Sequence, residues 1–218
     1  MSFLKNKRVL LSAGPTYEAI DPVRFIGNRS SGKMGYALAE ALAEKGAEVI
    51  LVSGPVSLKV QHQSIQLIQV ESAAEMFDAC HQHFSTCQIA ILAAAVADYT
   101  PANPSAIKIK KKSETMSLEL VKTKDILKSL GKLKTKHQLL VGFALETNNE
   151  LENAMKKLES KNLDFIVLNS LQDKGAGFRH STNKITIVDK SNKITKFELK
   201  SKADVANDIV AYIEGFMD

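Results

Sequence analysis

The residues best suited to chemistry lie between Gly14 and Gly35, a stretch that contains four glycines, two adjacent serines and one lysine. A helix is predicted to begin within Ser30–Lys33, where either serine could act as its cap. Free backbone amides at a helix start, the positive end of the helix dipole and a lysine favour a bound anion, most naturally phosphate. The candidate anion ligands are Ser30, Ser31, Gly32 and Lys33. Arg24 and Asn28 precede them in the same loop and could meet a second substrate.

Two common nucleotide-binding motifs do not fit this loop. Residues 27–33 match the first seven positions of a P-loop, but Met34 occupies the eighth position, where a hydroxyl would hold Mg²⁺. A long loop also separates the match from the preceding strand, which excludes a P-loop NTPase. The G-x-G-x-x-G pattern of dinucleotide-binding proteins is absent too. A capped helix with small residues for close packing remains the alternative interpretation.

Apolar strand patterns alternate with helical patterns along the chain. Strands are predicted at Val9–Ser12, Ala47–Val52, Ile65–Val70, Ile89–Ala94, Leu139–Phe143 and Phe165–Leu168. Helices are predicted at Gly32–Lys45, from a capping box at Ser72–Glu75 to about Phe84, at Asn149–Lys161 and at Ala203–Phe216. This order indicates an α/β fold with a Rossmann-like, doubly wound, mostly parallel sheet. One domain over 1–218 is expected, with a flap insertion at about 97–123 and a C-terminal hairpin at 184–199.

Two predicted strand ends lie where ligands bind in open α/β sheets. Around Ala93, Ala94 and Ala95, small side chains would let a base or sugar approach the backbone, and Asp98 could accept hydrogen bonds from it. A tightly packed strand end is the equally weighted alternative. Phe143 could stack on a base, although phenylalanine at a strand end is more often part of the core.

A lysine-rich segment, Lys108–Lys112, lies in the flap insertion. Weak strand patterns surround it at Ile107–Lys112 and Ser117–Val121. A mobile flap that closes over polyphosphate is the functional interpretation, and a solvated surface is the common alternative. Nucleic-acid binding is a third possibility, but no aromatic residue interrupts the run.

Composition excludes several classes of protein. The net charge of +5 is too mild to indicate nucleic-acid binding, and 44% hydrophobic with 24% charged residues is ordinary for a globular chain. Cys80 and Cys87 are predicted to share one helix, too far apart for a disulfide. No signal peptide, membrane span, metal-ligand spacing or covalent catalytic arrangement is evident, so we expect a reduced, cytoplasmic protein.

The loop and strand-end motifs together resemble those of phosphopantothenoylcysteine synthetases. Residues 21–35 are similar to the family signature, and residues 94–99, 108–111 and 142–148 resemble the later family motifs in the same order. The resemblance covers nearly the whole chain. It implies a ligase of coenzyme A biosynthesis that joins 4′-phosphopantothenate to L-cysteine, with CTP converted to CMP and pyrophosphate through an acyl-cytidylate.

The resemblance also implies roles for individual residues. Asn28 matches the asparagine needed to convert the acyl-cytidylate, Arg24 matches the arginine that holds phosphopantothenate, and Ala95 matches a small position at the acyl site. Lys108 matches a nucleotide-binding position of the family, and we expect it to act as a catalytic residue in the CTP-dependent first half-reaction. The positions implied to bind CTP are Ala93, Ala94, Asp98, Lys108, Lys124, Asp125, Ile126, Leu127, Phe143, Lys157 and Lys161. Lys124 stands where some relatives have proline.

Partners are implied by the same resemblance. Mg²⁺ is expected on the triphosphate because the sequence shows no compact carboxylate cage. A homodimer is expected, with the arginine reaching across the interface, and a flavin-dependent decarboxylase is a possible fused or separate partner. Two rivals stay open: an NAD(P)-dependent reductase, and a non-catalytic nucleotide- or nucleic-acid-binding module.

Overall fold

Buried apolar strands form the centre of the molecule, of which the computed structural model describes residues 2–111, 114–146, 148–170 and 180–217. In chain order the strands are β1 (Arg8–Ala13), β2 (Tyr17–Ala19), β3 (Phe25–Gly27), β4 (Glu48–Ser53), β5 (Ile65–Gln69), β6 (Ile89–Leu92), β7 (Tyr99–Pro101), β8 (Leu120–Lys122), β9 (Leu139–Glu146), β10 (Phe165–Ser170), β11 (Thr182–Asn183), β12 (Ile185–Asp189), β13 (Ile194–Lys196) and β14 (Lys200–Ser201). The helices are α1 (Lys33–Glu44), α2 (Ala73–Phe84), α3 (Ile126–Leu133), α4 (Glu150–Ser160) and α5 (Lys202–Met217).

Eight of these strands form one sheet in the order β13-β12-β10-β9-β6-β1-β4-β5. The six from β10 to β5 run parallel, and β12 and β13 add an antiparallel hairpin at one edge. The chain moves outward from β1 through β4 to β5 and then returns to β6 on the other side of β1. The carboxyl ends of β1 and β6 therefore form a topological switch point, where ligands bind in such sheets. The predicted fold class is confirmed.

The helices cover both faces of the sheet. Leu38 and Leu42 of α1 pack with Ile209 of α5 on one face, and Met76 of α2, Leu130 of α3 and Leu158 of α4 lie in the core on the other face. Burying each such side chain contributes about 1.5–3 kcal/mol. The predicted capping box is confirmed, because the Ser72 hydroxyl accepts from the Glu75 amide at 3.2 Å and the Glu75 carboxylate accepts from the Ser72 amide.

Some elements differ from the sequence-based expectation. Helix α3 and the hairpin of β2 and β3 were not predicted, because both are short and interrupted by polar residues. The pattern at Ser117–Val121 overlaps only β8, which pairs with β7 in a separate two-stranded sheet. The described part of Ile107–Lys112 contains no strand, and Lys112 itself lies outside the described residues.

The two cysteines are buried free thiols. Cys80 lies in α2, but Cys87 follows the end of that helix, so the prediction that both share one helix is wrong. The predicted absence of a disulfide between them is confirmed. Burial raises the pKa of the Cys80 thiol to about 12 and also raises that of Cys87. Among the described residues, the helices are all too short or too polar to cross a membrane.

Candidate active site

The start of α1 lies directly against the carboxyl end of β1. A Cβ added at Gly35 would sit 2.5 Å from the Cβ of Ala13, so only glycine permits this close approach. Gly32 caps the helix with φ of 74° and without a side-chain cap hydrogen bond. The prediction that Ser30 or Ser31 caps α1 is therefore wrong. The Ser30 hydroxyl instead accepts from the Gly32 amide at 3.3 Å, one residue before the helix.

The chain beyond β6 runs beside the end of β1 and lines the switch point with alanines. The Ala93 amide donates to the Ser12 carbonyl at 3.1 Å, and the Ala95 amide donates to the Gly14 carbonyl at 2.8 Å. The Ala94 amide donates to the Ser12 hydroxyl at 3.2 Å. These bonds hold the segment extended after the strand has ended, and its small side chains leave room for a ligand.

A cavity of about 640 Å³ opens over this edge of the sheet. The cavity extends from the start of α1 on one face of the sheet to the start of α3 and the end of α4 on the other face. Fifteen of the predicted site residues line it: Ser30, Ser31, Gly32, Lys33, Ala93, Ala94, Ala95, Asp98, Lys124, Asp125, Ile126, Leu127, Phe143, Lys157 and Lys161. Residues that lie far apart in the sequence are thus brought to one place.

At the end of the cavity formed by α3 and α4, two lysines are paired with carboxylates. Lys161 lies 2.8 Å from the carboxylate of Asp125, and Lys157 lies 3.4 Å from that of Glu146. Burial alone would raise the pKa of Asp125, but the hydrogen bond and charge of Lys161 outweigh it, and the pKa lies below its usual value. The Asp125 side chain also caps α3 by accepting from the Lys128 amide at 2.9 Å. These two ion pairs hold the side chains of Lys157 and Lys161 in place at this end of the cavity.

Asn28 lies at the rim of the cavity, outside its lining. Its amide nitrogen donates to the carbonyl oxygens of Ala95 at 2.9 Å and Val96 at 3.0 Å. The side chain thereby links the loop before α1 to the alanine segment after β6. Both amide hydrogens are engaged in these contacts.

Arg24 is held by Asp21, away from the cavity lining. Its guanidinium donates through Nε and Nη2 to the buried Asp21 carboxylate, and through Nη2 to the Ile109 carbonyl at 2.8 Å. The Ile109 amide donates back to Asp21 at 3.1 Å. The Arg24 guanidinium above all, with further backbone donors, holds the pKa of the Asp21 carboxyl far below its usual value. This network ties the loop before α1 to the lysine-rich segment.

Lys108 precedes that anchored residue and is exposed, outside the cavity lining. Fifteen of the predicted site residues thus line the cavity, whereas Arg24, Asn28 and Lys108 lie outside its lining. No group of three or more histidine, cysteine, aspartate or glutamate residues that could hold a metal ion occurs within the described ranges.

Sequence reasoning missed Asn169, Asn183 and Lys202, which also line the cavity. The Asn183 amide nitrogen donates to the Asn169 side-chain oxygen at 2.8 Å. Asn169 directly follows a predicted buried strand, a signal that could have identified it. Asn183 and Lys202 lie in short or terminal elements without such a signal. Burial lowers the pKa of Lys202, and the charge of Lys33 lowers it further.

Comparison with known proteins identifies relatives that match nearly the whole chain. The family model described as the DNA/pantothenate metabolism flavoprotein C-terminal domain matches residues 4–216. A protein of an unknown prokaryotic organism, named cysteine/cysteine sulfinic acid decarboxylase, is 60% identical over 210 residues, which are 96% of this chain and 58% of that protein. The Coenzyme A biosynthesis bifunctional protein CoaBC of Bacillus subtilis (strain 168) is 50% identical over 210 residues. These residues are 96% of this chain and 52% of the Bacillus subtilis protein.

The chain thus spans between 52% and 58% of the length of these curated relatives. A crystal structure of the C-terminal domain of Coenzyme A biosynthesis bifunctional protein CoaBC is 44% identical, covers 98% of both chains and has a TM-score of 0.82. The motifs at the switch point, the fold and the match across residues 4–216 agree. The chain belongs to the family of the DNA/pantothenate metabolism flavoprotein C-terminal domain, the phosphopantothenoylcysteine synthetase family of coenzyme A biosynthesis.

Proposed function

We propose that this chain joins 4′-phosphopantothenate to L-cysteine at the expense of CTP. The observation that carries the proposal is the cavity at the switch point, which, within the described part of the chain, is lined by six lysines and by the small residues of the family motifs. Its charge suits a triphosphate and a phosphorylated acid, both strongly anionic. Its volume of about 640 Å³ lies within the usual range for small-molecule sites.

In the first half-reaction, a carboxylate oxygen of phosphopantothenate attacks the α-phosphorus of CTP and pyrophosphate leaves with its electron pair. Lys33 and the free amides at the start of α1 stabilise the negative charge on the phosphates. Mg²⁺ enters as part of the nucleotide substrate, held by phosphate oxygens. Among the described residues, Asp98 and Asp125 are the carboxylates in the cavity lining, and they belong to no group of three or more side chains that could hold a metal ion.

In the second half-reaction, the amine of cysteine attacks the acyl carbonyl, the amine loses a proton and CMP leaves. Asn28 is the proposed donor to the oxyanion that develops on that carbonyl. Its amide hydrogens are held by the carbonyls of Ala95 and Val96, so one of these bonds has to be exchanged when the intermediate forms. Ala95 leaves space for the acyl group.

The nucleoside is proposed to lie towards α3 and α4. Phe143 is half-buried and lines the cavity between the two ends, where its ring can stack on the base. The paired Lys161 and Asp125 offer fixed polar groups beside it. Lys108 lies on the segment anchored by Arg24, and we propose that this segment closes over the nucleotide during the first half-reaction.

A homodimer is part of the proposal, and exposed apolar side chains near Arg24 support it. Val23 and Phe25 are 60% and 51% exposed on the loop and strand beside Arg24. Tyr99, Leu120 and Val121, on β7 and β8, are 45%, 42% and 45% exposed. A second copy that covers these side chains would also bring its Arg24 near the site. Light scattering coupled to size-exclusion chromatography tests this, and a monomer at assay concentration would contradict it.

We further propose that the reaction takes place in the cytoplasm, since both thiols are free and L-cysteine must stay reduced. A flavin-dependent decarboxylase is the proposed partner, because the relative in Bacillus subtilis is named as bifunctional and this chain matches 52% of it. The relative named as a cysteine or cysteine sulfinic acid decarboxylase is matched over 58% of its length, so its named activity can reside in the remainder.

One assay tests the proposed reaction and both rivals. Pyrophosphate release is measured with CTP, ATP, GTP or UTP, with phosphopantothenate present and cysteine added or omitted. We expect release with CTP in the presence of phosphopantothenate, and product only when cysteine is added. NADPH binding without pyrophosphate release would favour the reductase. Binding of DNA or RNA that weakens steeply with salt, without release, would favour the nucleic-acid module.

A further inference from the structure

Two ring side chains of α2 contact the start of α3 from outside the cavity. Phe77 and His81 are four residues apart, so they lie on one side of α2. Their rings stack, with centroids 3.8 Å apart and an angle of 22° between the planes. Both side chains are half-buried, and neither lines the cavity. The family motifs and the proposed half-reactions give this pair no role.

The ring of Phe77 also contacts Lys124, which lies two residues before α3. The Nζ atom of Lys124 lies 4.8 Å from the centroid of the Phe77 ring, within the range of a cation–π contact. Lys124 lines the cavity, yet this contact places its ammonium group over a side chain of α2. In this position the ammonium group holds the chain before α3 against α2.

His81 holds the first turn of α3 by a hydrogen bond. Its Nδ1 lies 2.7 Å from the Phe77 carbonyl oxygen, and its Nε2 lies 2.8 Å from the Ser129 hydroxyl oxygen. Because a carbonyl oxygen only accepts, Nδ1 carries the hydrogen of the neutral ring and Nε2 accepts from Ser129. The hydroxyl hydrogen of Ser129 is then not given to the carbonyl of Asp125, four residues earlier, a bond that bends helices. The Asp125 carbonyl keeps its regular helical bond from the Ser129 amide, at 3.0 Å.

Residues 124–127 lie between these two contacts, and all four line the cavity. Ile126 and Leu127 are buried in the core, whereas Lys124 and Asp125 are exposed. An exposed segment loses conformational freedom when a ligand binds to it, and this loss weakens binding. Contacts that already hold the segment in the free protein reduce the loss and so increase the affinity for the ligand.

We propose that Phe77 and His81 are positioning residues for the nucleoside and act through Lys124 and Ser129. They fix the start of α3 before the ligand arrives, so that its backbone and the aliphatic part of Lys124 are in place to contact the base or the ribose. The Lys124 ammonium group stays over Phe77 in the bound state and contacts no phosphate. The inference rests on the proposed function, which places the nucleoside at this end of the cavity.

The test is calorimetric titration of the full chain with CMP and CTP. Phe77→Leu removes the ring face and keeps an apolar side chain, and His81→Ala removes the hydrogen bond to Ser129. We expect each variant to bind CMP and CTP more weakly by the same factor, about three- to tenfold, the usual effect of losing one cation–π contact or one hydrogen bond. His83→Ala is the matched control, because His83 lies on the same helix and accepts hydrogen bonds through its backbone carbonyl. The control should match the wild-type affinities.

Three measurements separate positioning from a general loss of structure. Phe77→Tyr keeps the ring face and should restore the wild-type affinities. Lys124→Met keeps the length of the side chain and should weaken CMP as much as CTP, whereas a lysine that contacts the phosphates would give a much larger loss for CTP. Long-range correlation of ring hydrogens with ring nitrogens by NMR should show the neutral His81 ring protonated at Nδ1.

Affinities of Phe77→Leu and His81→Ala equal to those of His83→Ala would overturn the inference. It would also be overturned by a Phe77→Tyr variant as weak as Phe77→Leu, by a loss for CTP alone in Lys124→Met, or by a His81 ring protonated at Nε2. Thermal unfolding checks that each variant folds, and Ser129→Ala, which removes the same hydrogen bond from the α3 side, replaces His81→Ala if that variant does not. If the wild type binds CMP but releases no pyrophosphate from CTP with phosphopantothenate, the proposed function fails, and the CMP affinities alone decide the positioning role. No CMP binding by the wild type would refute the inference, whatever the release assay shows.

Discussion

Two glycine-to-alanine substitutions can isolate the role of the contact between α1 and β1. Gly35 and Gly215 both lie in helices, α1 and α5. A Cβ at Gly35 would meet the Ala13 Cβ at 2.5 Å, whereas a Cβ at Gly215 would meet nothing within 4 Å. Both substitutions gain helix propensity, at most about 1 kcal/mol and less near a fraying end. Only Gly35→Ala introduces a steric conflict.

The size of that conflict follows from the contact distance. Carbon atoms pack best at about 3.5–4.0 Å, so the start of α1 has to move by roughly 1 Å away from β1. Overpacking of this kind costs about 1–3 kcal/mol. We therefore expect Gly35→Ala to be less stable than Gly215→Ala by about 1–3 kcal/mol. A shift of about 1 Å at the proposed phosphate site should also lower kcat/KM for CTP by about a hundredfold.

Urea denaturation measures the free energy of unfolding of both variants, and pyrophosphate release measures their activity with CTP. Gly215→Ala should keep wild-type activity, since it lies on the exposed side of α5. The reasoning would be refuted if the two variants were equally stable and Gly35→Ala retained its kcat/KM. In that case the close approach of α1 to β1 would not position the anion site.

The remaining predictions concern the residues around the cavity and the half-buried phenol of Tyr212. Asn28→Asp should still release pyrophosphate but form little product, because a carboxylate cannot donate; unchanged product formation would remove Asn28 from the mechanism. Arg24→Lys should raise KM for phosphopantothenate at least tenfold, since a point charge replaces a planar fork, and near-normal kinetics would argue against this role. Lys108→Gln should slow pyrophosphate release, whereas normal CTP turnover would leave Lys108 a solvated lysine. Burial, aided by the hydrogen bond to Asp189, raises the pKa of Tyr212 to about 12 from its usual 10.0. The folded state therefore keeps the Tyr212 proton up to a higher pH than the unfolded chain does. The stabilisation that results from this difference is complete below pH 10 and is lost as the pH rises to about 12. Urea titrations of wild type and Tyr212→Phe across that range should diverge, and parallel curves would contradict the assignment.

Sequence reasoning identified the elements whose residues carry a clear periodicity. The strand at Ile89–Leu92 is buried on both faces and therefore appears as a continuous apolar run. The helix at Lys33–Glu44 and the capping box at Ser72 were found for similar local reasons. Helix α3 was missed because its eight residues include a glycine, Gly131, and its stability depends on packing against the rest of the core.

The candidate site was predicted largely from motifs, and the features that depend on tertiary contacts were not predicted. Whether Ser30 or Gly32 caps α1 depends on a backbone angle, which no periodicity reveals. The direction of the Arg24 side chain depends on Asp21 and on Ile109, 85 residues further along the chain. Lys202 is brought to the cavity by the packing of α5 on α1 and by the pairing of β11 with β14, two strands of two residues each. Such short elements carry too little sequence information to be predicted.

The burial of Cys80 and Cys87 has a consequence for an enzyme whose proposed substrate is itself a thiol. Cysteine in solution is accompanied by its oxidised form, cystine, and an exposed protein thiolate attacks the cystine disulfide, forms a mixed disulfide and releases one cysteine. Because burial keeps the Cys80 thiol protonated up to about pH 12 and also raises the pKa of Cys87, neither offers a thiolate at neutral pH. The fold thereby protects both thiols from mixed disulfides with cystine, so that a high concentration of the proposed substrate would not inactivate the protein covalently.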